Sequence, residues 1–165
     1  MNKTFNKDIK NFVNEFFLTL NPIEKSKIKN ISADHFCSDE ENANICAELV
    51  LSGIKTASCS LKESYNYTNF DIPMAGDLLI VTNWDHAPVC IVEFTEIKEV
   101  KFSEVNDLHA RKEGEGDQSL SWWNKVHVDF FTRECEEFGI EFNKNMTLLL
   151  AVSYTHLTLP TTEAV

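Results

Sequence analysis

The stretch from residue 53 to residue 61, GIKTASCSL, most constrains what this chain can fold into. Glycine commonly ends helices in the left-handed conformation, so Gly53 predicts the end of the helical pattern that precedes it. The short β-prone run after it predicts a strand over residues 56–61. Lys55 is therefore expected at a corner between a helix and a strand, where it either contributes to a site or only complements the helix dipole.

Helical signals dominate the segment before this corner. Apolar residues at three- and four-residue steps predict an amphipathic helix near the N-terminus. Asn21 and Pro22 predict the start of a second, short helix, which an irregular stretch follows. Ser38 and Glu41 have the spacing of a capping box, so Ser38 is expected to be the N-cap of a third helix.

Strand and helix signals are mixed after the corner. The apolar patterns predict strands over residues 78–82, 89–102 and 146–152. Ser103 is expected to cap a short helix that carries Leu108, and a long helix is expected to run from about Ser119 to the glycine at position 139. Because the helices are segregated from the strands, we expect an α+β fold: a small, mostly antiparallel sheet, curled into a partial barrel, with flanking helices.

Charge argues against one class of partner. The 165-residue chain has 15 basic and 26 acidic residues, a net charge of −11, and no basic run. Because non-specific nucleic-acid binding depends on many lysine and arginine contacts to phosphate, a long polyanion such as DNA is not expected. A nucleoside, a nucleotide or a base presented by a structured RNA remains open.

Composition also bears on the compartment. No apolar run approaches the roughly 18 residues that a membrane span needs, and the N-terminus lacks the features of a signal peptide. The five cysteines form no Cys-x-x-Cys pair. An odd, scattered set of cysteines without an export signal predicts reduced thiols in the cytoplasm.

Lys55, Ser58 and Glu113 are the candidates for catalysis. Residues three apart face opposite sides of a regular strand, so Lys55 and Ser58 can converge only if Lys55 still lies in the turn. A lysine near a serine hydroxyl can accept its proton, and a carboxyl group held near that lysine suits acid–base chemistry. Each of the three can equally be a solvated or strand residue without a catalytic role.

Other residues support weaker readings. His109 and Glu113 share one helical face, but no third ligand is in view, so no metal is expected. His127, on the apolar side of the long helix, is expected to be a hydrogen-bonded core histidine. Tyr65 and Tyr67 lie in a predicted loop, where they either stack on a base or cover the edge of the core.

Three segments of the chain form a combined pattern: Gly53-Ile54-Lys55-Thr56-Ala57-Ser58, the Pro73…Gly76-Asp77 turn, and Glu113-Gly114-Glu115-Gly116-Asp117-Gln118-Ser119-Leu120…Trp123…His127…Phe130-Phe131. Together they resemble the ASCH domain family over about residues 30 to 150. The resemblance implies a β-barrel similar to PUA domains with a cleft beside the first strand. It also implies binding of, or action on, RNA or nucleosides. One branch removes the acetyl group from acetylcytidine, and another member is reported to be a ribonuclease.

The amidohydrolase branch implies roles for particular residues. Its Gly-x-Lys-Thr-x-Thr motif falls on Lys55 and Ser58, where serine keeps a hydroxyl, and its His-Ala-x-x-Glu motif ends at Glu113. The implied activity is metal-independent amide hydrolysis without a cofactor; the alternatives are a non-catalytic RNA- or nucleotide-binding module and a ribonuclease. The residues expected to bind the substrate are Thr56, Tyr65 and Tyr67.

The resemblance also divides the chain. Residues 1–30 are expected to be an N-terminal helical extension, and residues 31–153 the ASCH domain. Residues 154–165 resemble translated sequencing-adapter read-through, so we expect a non-native tail that makes few native contacts, although Ser153, Tyr154 and Leu157 can extend the last strand.

Overall fold

Five α-helices and five strands make up the part of the chain, residues 5–158, that the computed structural model describes, with only the backbone for residues 156–158. The helices are α1 (Lys7–Thr19), α2 (Pro22–Lys27), α3 (Glu40–Leu51), α4 (Asp107–Glu113) and α5 (Leu120–Glu137). The strands are β1 (Ile31–Asp34), β2 (Ala57–Leu61), β3 (Leu78–Thr82), β4 (Pro88–Lys101) and β5 (Thr147–Thr158). Short 3₁₀ helices follow β2 and β4, at Lys62–Asn66 and Phe102–Glu104.

The strands form one mixed sheet in the order β1-β3-β4-β5-β2. β1 runs parallel to β3, whereas β3 pairs with β4 and β2 pairs with β5 in antiparallel fashion. The predicted α+β fold, a mostly antiparallel sheet flanked by helices, is confirmed. None of the helices within residues 5–158 combines the length and the apolar character that crossing a bilayer requires.

Chain contacts divide the protein into two compact units. Among the described residues, the first unit holds residues 5–53, 76–94 and 154–158, and the second holds residues 54–75 and 95–153. In the first unit, β3 is buried on both faces, as expected for a strand that helices cover from two sides. One face packs on α1 through Phe12, Ile80 and their neighbours, and the other packs on α3 through Val50 and Val81.

The second unit has its core between α5 and the β2–β5 pair. Leu61 of β2 lies opposite Leu148 of β5, and Cys59 lies opposite Leu150. These side chains face a cluster that includes Trp123 and other buried residues of α5, namely Phe131 and Cys135. The strand alternation therefore defines a core face of β2, which carries Cys59 and Leu61, and an opposite face, which carries Ser58 and Ser60.

Several helix starts differ from the sequence prediction. The N-cap of α3 is Asp39, not Ser38, because the Asp39 carboxylate accepts a hydrogen bond from the Asn42 N–H at 2.9 Å. The short helix α4 begins after Asn106 rather than Ser103, which lies in the 3₁₀ turn before it. The predicted start of the long helix is confirmed, since the Ser119 side chain accepts from the N–H of Trp122 at its N-terminus.

Other predictions were wrong in extent. The stretch predicted to be irregular contains β1. Leu108, which the predicted short helix carries, is 62% exposed. The final strand β5 runs past residue 152 to Thr158. The extension through Ser153 and into the predicted tail at Tyr154 and Leu157, which the sequence allowed, is therefore confirmed. Residues 159–165 of that tail lie outside the described residues. The predicted boundaries at residues 30 and 153 stay predictions.

Candidate active site

Lys55 lies in the turn that precedes β2, which is the position that the sequence prediction required of a catalytic lysine. Two backbone features fix this turn against the last turn of α4. The N–H of Thr56 donates to the carbonyl oxygen of Lys112 at 2.7 Å. Gly114, which ends α4 with a φ of +71°, leaves so little space that an added Cβ would lie 2.7 Å from the carbonyl oxygen of Ile54. Glycine is required there for both the left-handed conformation and the close approach.

The side chain of Lys55 joins two carboxylates. Its Nζ donates to Oε2 of Glu113 at 3.0 Å and to Oε1 of Glu115 at 2.6 Å. The side chains of Lys55 and Glu113 are 3% and 2% exposed, whereas that of Glu115 is 16% exposed. Charged side chains are almost never fully buried unless they are paired, and this pair joins the turn before β2 to the end of α4.

The other oxygen of Glu113 is held by two further donors. Oε1 accepts from Nε1 of Trp123 at 2.9 Å and lies 3.0 Å from Nε2 of His109. A carboxylate only accepts hydrogen bonds, so His109 must carry its proton on Nε2 to make this contact. Donors from α4, α5 and the lysine turn therefore fix both oxygens of Glu113.

Glu113 is ionised despite its burial. Burial alone would raise the pKa of this carboxyl group, because it penalises the charged form. The Lys55 ammonium group, the hydrogen bond from His109 and the nearby His127 and His109 rings together outweigh that effect. The pKa of Glu113 therefore lies well below its ordinary value, and the resting state is the charged pair.

Two more side chains approach Glu113 from β2 and α5. The ligand atoms of Cys59, Glu113 and His127 all lie within 4.8 Å of one another. Burial, followed by the charge of Glu113, raises the pKa of the Cys59 thiol well above its usual value, so the thiol keeps its proton. Burial lowers the pKa of His127, whose ring stacks on that of Trp123 with centroids 4.1 Å apart.

Lys55, Cys59, Glu113, Glu115, Trp123 and His127 together form the cluster around Glu113. The structure does not bring every predicted site residue to this cluster. Ser58 lies on the face of β2 opposite Cys59, since neighbouring strand residues point to opposite sides. On that opposite face, the hydroxyl of Tyr65 lies 3.0 Å from the Ser60 Oγ, and burial raises the pKa of Tyr65. The predicted catalytic residues that meet are therefore Lys55 and Glu113.

The remaining predicted substrate-binding residues lie at two other places. The Thr56 Oγ1 donates to the carbonyl oxygen of Lys112 at 3.3 Å, so this hydroxyl helps to tie the lysine turn to α4. Tyr67 is 51% exposed and stacks on Phe138 with ring centroids 4.8 Å apart. Its placement leaves one tyrosine ring accessible at the surface of the second unit.

Four residues of the cluster were missed or read only as structural in the sequence. Cys59 was passed over for its neighbour Ser58, although strand alternation already separates the two faces. His127 was expected to be a core histidine, and Trp123 was named only within the segment from Glu113 to Phe131. Their spacing of four residues places them on one helical face, which Glu113 also approaches. Glu115 was likewise named only within that segment.

A family model and a solved structure identify the same family. The family model described as the ASCH domain matches residues 32–154. The solved structure of an ASCH domain from Lactobacillus crispatus JV V101 is 40% identical, covers 93% of this chain and 97% of its own, and superposes with a TM-score of 0.88. A protein from Enterococcus faecalis V583 shares the fold, with 24% identity, coverage of 94% and 90%, and a TM-score of 0.73. A search of curated proteins found no match.

Proposed function

Since this chain belongs to the ASCH domain family, we propose that it is a hydrolase that cleaves the amide of an acetylated cytidine-type nucleoside at the Lys55–Glu113 pair, without a metal. The observation that carries the proposal is this pair, with 3.0 Å between two side chains that are 3% and 2% exposed. Burying two charges costs several kcal/mol of desolvation for each ion, so such a pair is weak evidence for stability and better explained by chemistry.

The proposed reaction uses the hydrogen bond between the two side chains. A proton that passes from Nζ of Lys55 to Oε2 of Glu113 converts the charged pair into a neutral amine and a carboxylic acid. Because Ser58 lies on the face of β2 opposite Cys59, this step requires the bound substrate to bring the Ser58 hydroxyl to the amine. The amine then takes the hydroxyl proton as the serine oxygen bonds to the acetyl carbon. Glu113 gives its proton to the exocyclic amine as the carbon–nitrogen bond breaks, and water then releases acetate from the serine.

The placement of Ser58 favours a second candidate function, a non-catalytic nucleotide- or RNA-binding module. Ser58 faces away from Cys59 and Glu113 in the strand, and Glu113 is already held by three donors. Such a site can present fixed charges to a base without performing a reaction. The net charge of −11 favours a nucleoside or a single base over a long RNA as the occupant.

Acetate release from acetylcytidine separates the two candidates. The hydrolase predicts turnover by the wild type and a loss of at least about 100-fold in Ser58→Ala, the lower range for a lost catalytic group. Turnover that survives Ser58→Ala would remove Ser58 from the mechanism. Binding of cytidine by calorimetry without any acetate release, unchanged in Ser58→Ala, would overturn the hydrolase and support the binding module.

A further inference from the structure

Three potential metal ligands from different elements converge beside the Lys55–Glu113 pair. They are the thiol of Cys59 on β2, the carboxylate of Glu113 at the end of α4 and the imidazole of His127 in α5. Glu113 and His127 are both buried, and Cys59 is half-buried. The trio therefore lies in the interior of the second unit.

The hydrogen bond of His127 shows which of its two ring nitrogens can offer a lone pair to a cation. Its Nδ1 lies 2.9 Å from the carbonyl oxygen of Trp123, which can only accept, so Nδ1 carries the proton. In the neutral ring, Nε2 is then an acceptor, and it lies 3.9 Å from the acceptor Oε2 of Glu113. Two acceptors that face each other at this distance leave a position suited to a cation.

The same arrangement is typical of histidines that bind metals. A metal-ligating histidine almost always donates its other ring N–H to a carbonyl or carboxylate oxygen, which fixes the tautomer and the ring orientation. The stacking of His127 on Trp123, with an interplanar angle of 15°, adds a second restraint on the ring. The imidazole is thus held before any cation arrives.

We propose that Cys59, Glu113 and His127 form a binding site for a divalent cation of the zinc class, with the Cys59 proton released to solvent as the thiolate binds the cation. Three protein ligands of the sulfur, oxygen and nitrogen types, with the fourth position open, match the composition of such sites, and a thiolate with an imidazole favours zinc over magnesium. Zinc bond lengths imply ligand separations of roughly 3.3–3.8 Å, so the trio must close by about 1 Å from its separations of up to 4.8 Å.

The proposed site goes beyond the hydrolase, because the two compete for Glu113. Lys55 is hydrogen-bonded to Oε2, the same oxygen that faces His127. A bound dication would repel the ammonium group and would engage the carboxylate that the proposed reaction needs for proton transfer. Zinc-class cations are therefore expected to inhibit acetate release, and removal of the ammonium group in Lys55→Met is expected to tighten cation binding.

Cobalt titration of the full, reduced, chelator-treated chain tests the site without using activity. Co²⁺ should bind with one-to-one stoichiometry and give thiolate-to-cobalt charge-transfer absorption, which Zn²⁺ abolishes and Mg²⁺ leaves unchanged. Cys59→Ala and His127→Gln should each weaken Co²⁺ binding by more than about tenfold, since even the loss of an outer partner costs that much. The matched control is Cys37→Ala, which removes a half-buried thiol of the first unit and should not change the spectrum.

The outcomes decide the proposal whether or not acetate is released. A charge-transfer band that disappears in Cys59→Ala and persists in Cys37→Ala supports the site. Absence of the band in the wild type, or its persistence in Cys59→Ala, overturns it. Should Cys59→Ala fail to fold, His127→Gln decides, because equal Co²⁺ affinity in that variant and the wild type excludes the imidazole as a ligand.

Discussion

Lys55 and Glu113 are 58 residues apart in the chain, yet their side chains meet at 3.0 Å in the interior of the second unit. The contact exists because the turn before β2 is bonded to the last turn of α4 through Thr56 and Lys112. Trp123 and His109 hold the second oxygen of Glu113, so the carboxylate has one fixed orientation.

Loss of the lysine charge should destabilise the fold strongly. Lys55→Met leaves Glu113 and Glu115 without their cation, and breaking a buried pair from one side typically costs about 3–5 kcal/mol. The matched control is Lys62→Met, because Lys62 pairs with Glu99 at the surface, where an ion pair contributes at most about 1 kcal/mol. Urea unfolding of both variants measures the difference, and equal losses would show that the buried pair is not special.

Replacement of both partners should restore part of that stability. Lys55→Met combined with Glu113→Gln removes both buried charges. Replacing both members of a buried pair often leaves the free energy of unfolding nearly unchanged, whereas removing one member lowers it strongly. The double variant should therefore be more stable than Lys55→Met alone. A double variant that loses the sum of the two single costs would contradict a direct interaction between the side chains.

The sequence predicted the partners of this pair but not their surroundings. Lys55 and Glu113 each belong to a recognisable motif, and the turn position of Lys55 follows from Gly53. The approach of Cys59 and His127 depends on how β2, α4 and α5 pack, which no local pattern encodes. The face of Ser58 was open to prediction, since alternation in β2 separates it from Cys59.

The fold was predictable to a similar degree. The long helix from Ser119 has a cap, a periodic apolar face and a terminal glycine, so its limits were readable from the sequence. The four-residue strand β1 was missed because it is too short for a clear period and is stabilised by non-local pairing with β3. Ser38 and Asp39 both suit an N-cap, and only the bond to Asn42 decides between them.

The ionised state of Glu113 should appear in the pH dependence of stability. Its folded pKa lies well below the unfolded value of about 4.5, so the unfolded chain binds more protons at acid pH. The stabilising contribution is complete above about pH 4.5 and is lost as the pH falls toward the folded pKa. Below about pH 4.5, the wild type should lose about 1.4 kcal/mol per pH unit more than Glu113→Gln does.

Unfolding free energies of the two proteins from pH 7 to pH 3 measure this difference. The plots of unfolding free energy against pH for the wild type and Glu113→Gln should run parallel at neutral pH. Below about pH 4.5 the free energy of the wild type should fall more steeply than that of the variant. Parallel curves across the whole range would show that Glu113 titrates alike in the folded and unfolded states.

Gly114 should be much less tolerant of alanine than Gly139, although both have a φ of +71°. The left-handed conformation alone costs an L-residue about 1–2 kcal/mol, and nothing lies within 4 Å of the Cβ that would be added at Gly139. A Cβ at Gly114 would meet the backbone of Ile54, so overpacking should add about 1–3 kcal/mol.

Unfolding measurements on Gly114→Ala and Gly139→Ala separate the steric effect from the conformational one. Gly114→Ala should also reduce activity, because it displaces the end of α4 from the turn that carries Lys55. Equal destabilisation by the two alanines would contradict the close approach of α4 to this turn.

The rate of acetate release from acetylcytidine in Lys55→Met, corrected for the folded fraction, tests most directly whether the buried pair is the reactive centre. The wild type and Lys62→Met should turn over the substrate at similar rates, because Lys62 pairs only at the surface. Lys55→Met should be slower by at least about 100-fold. Full activity of folded Lys55→Met, or no acetate release by the wild type, would contradict the account.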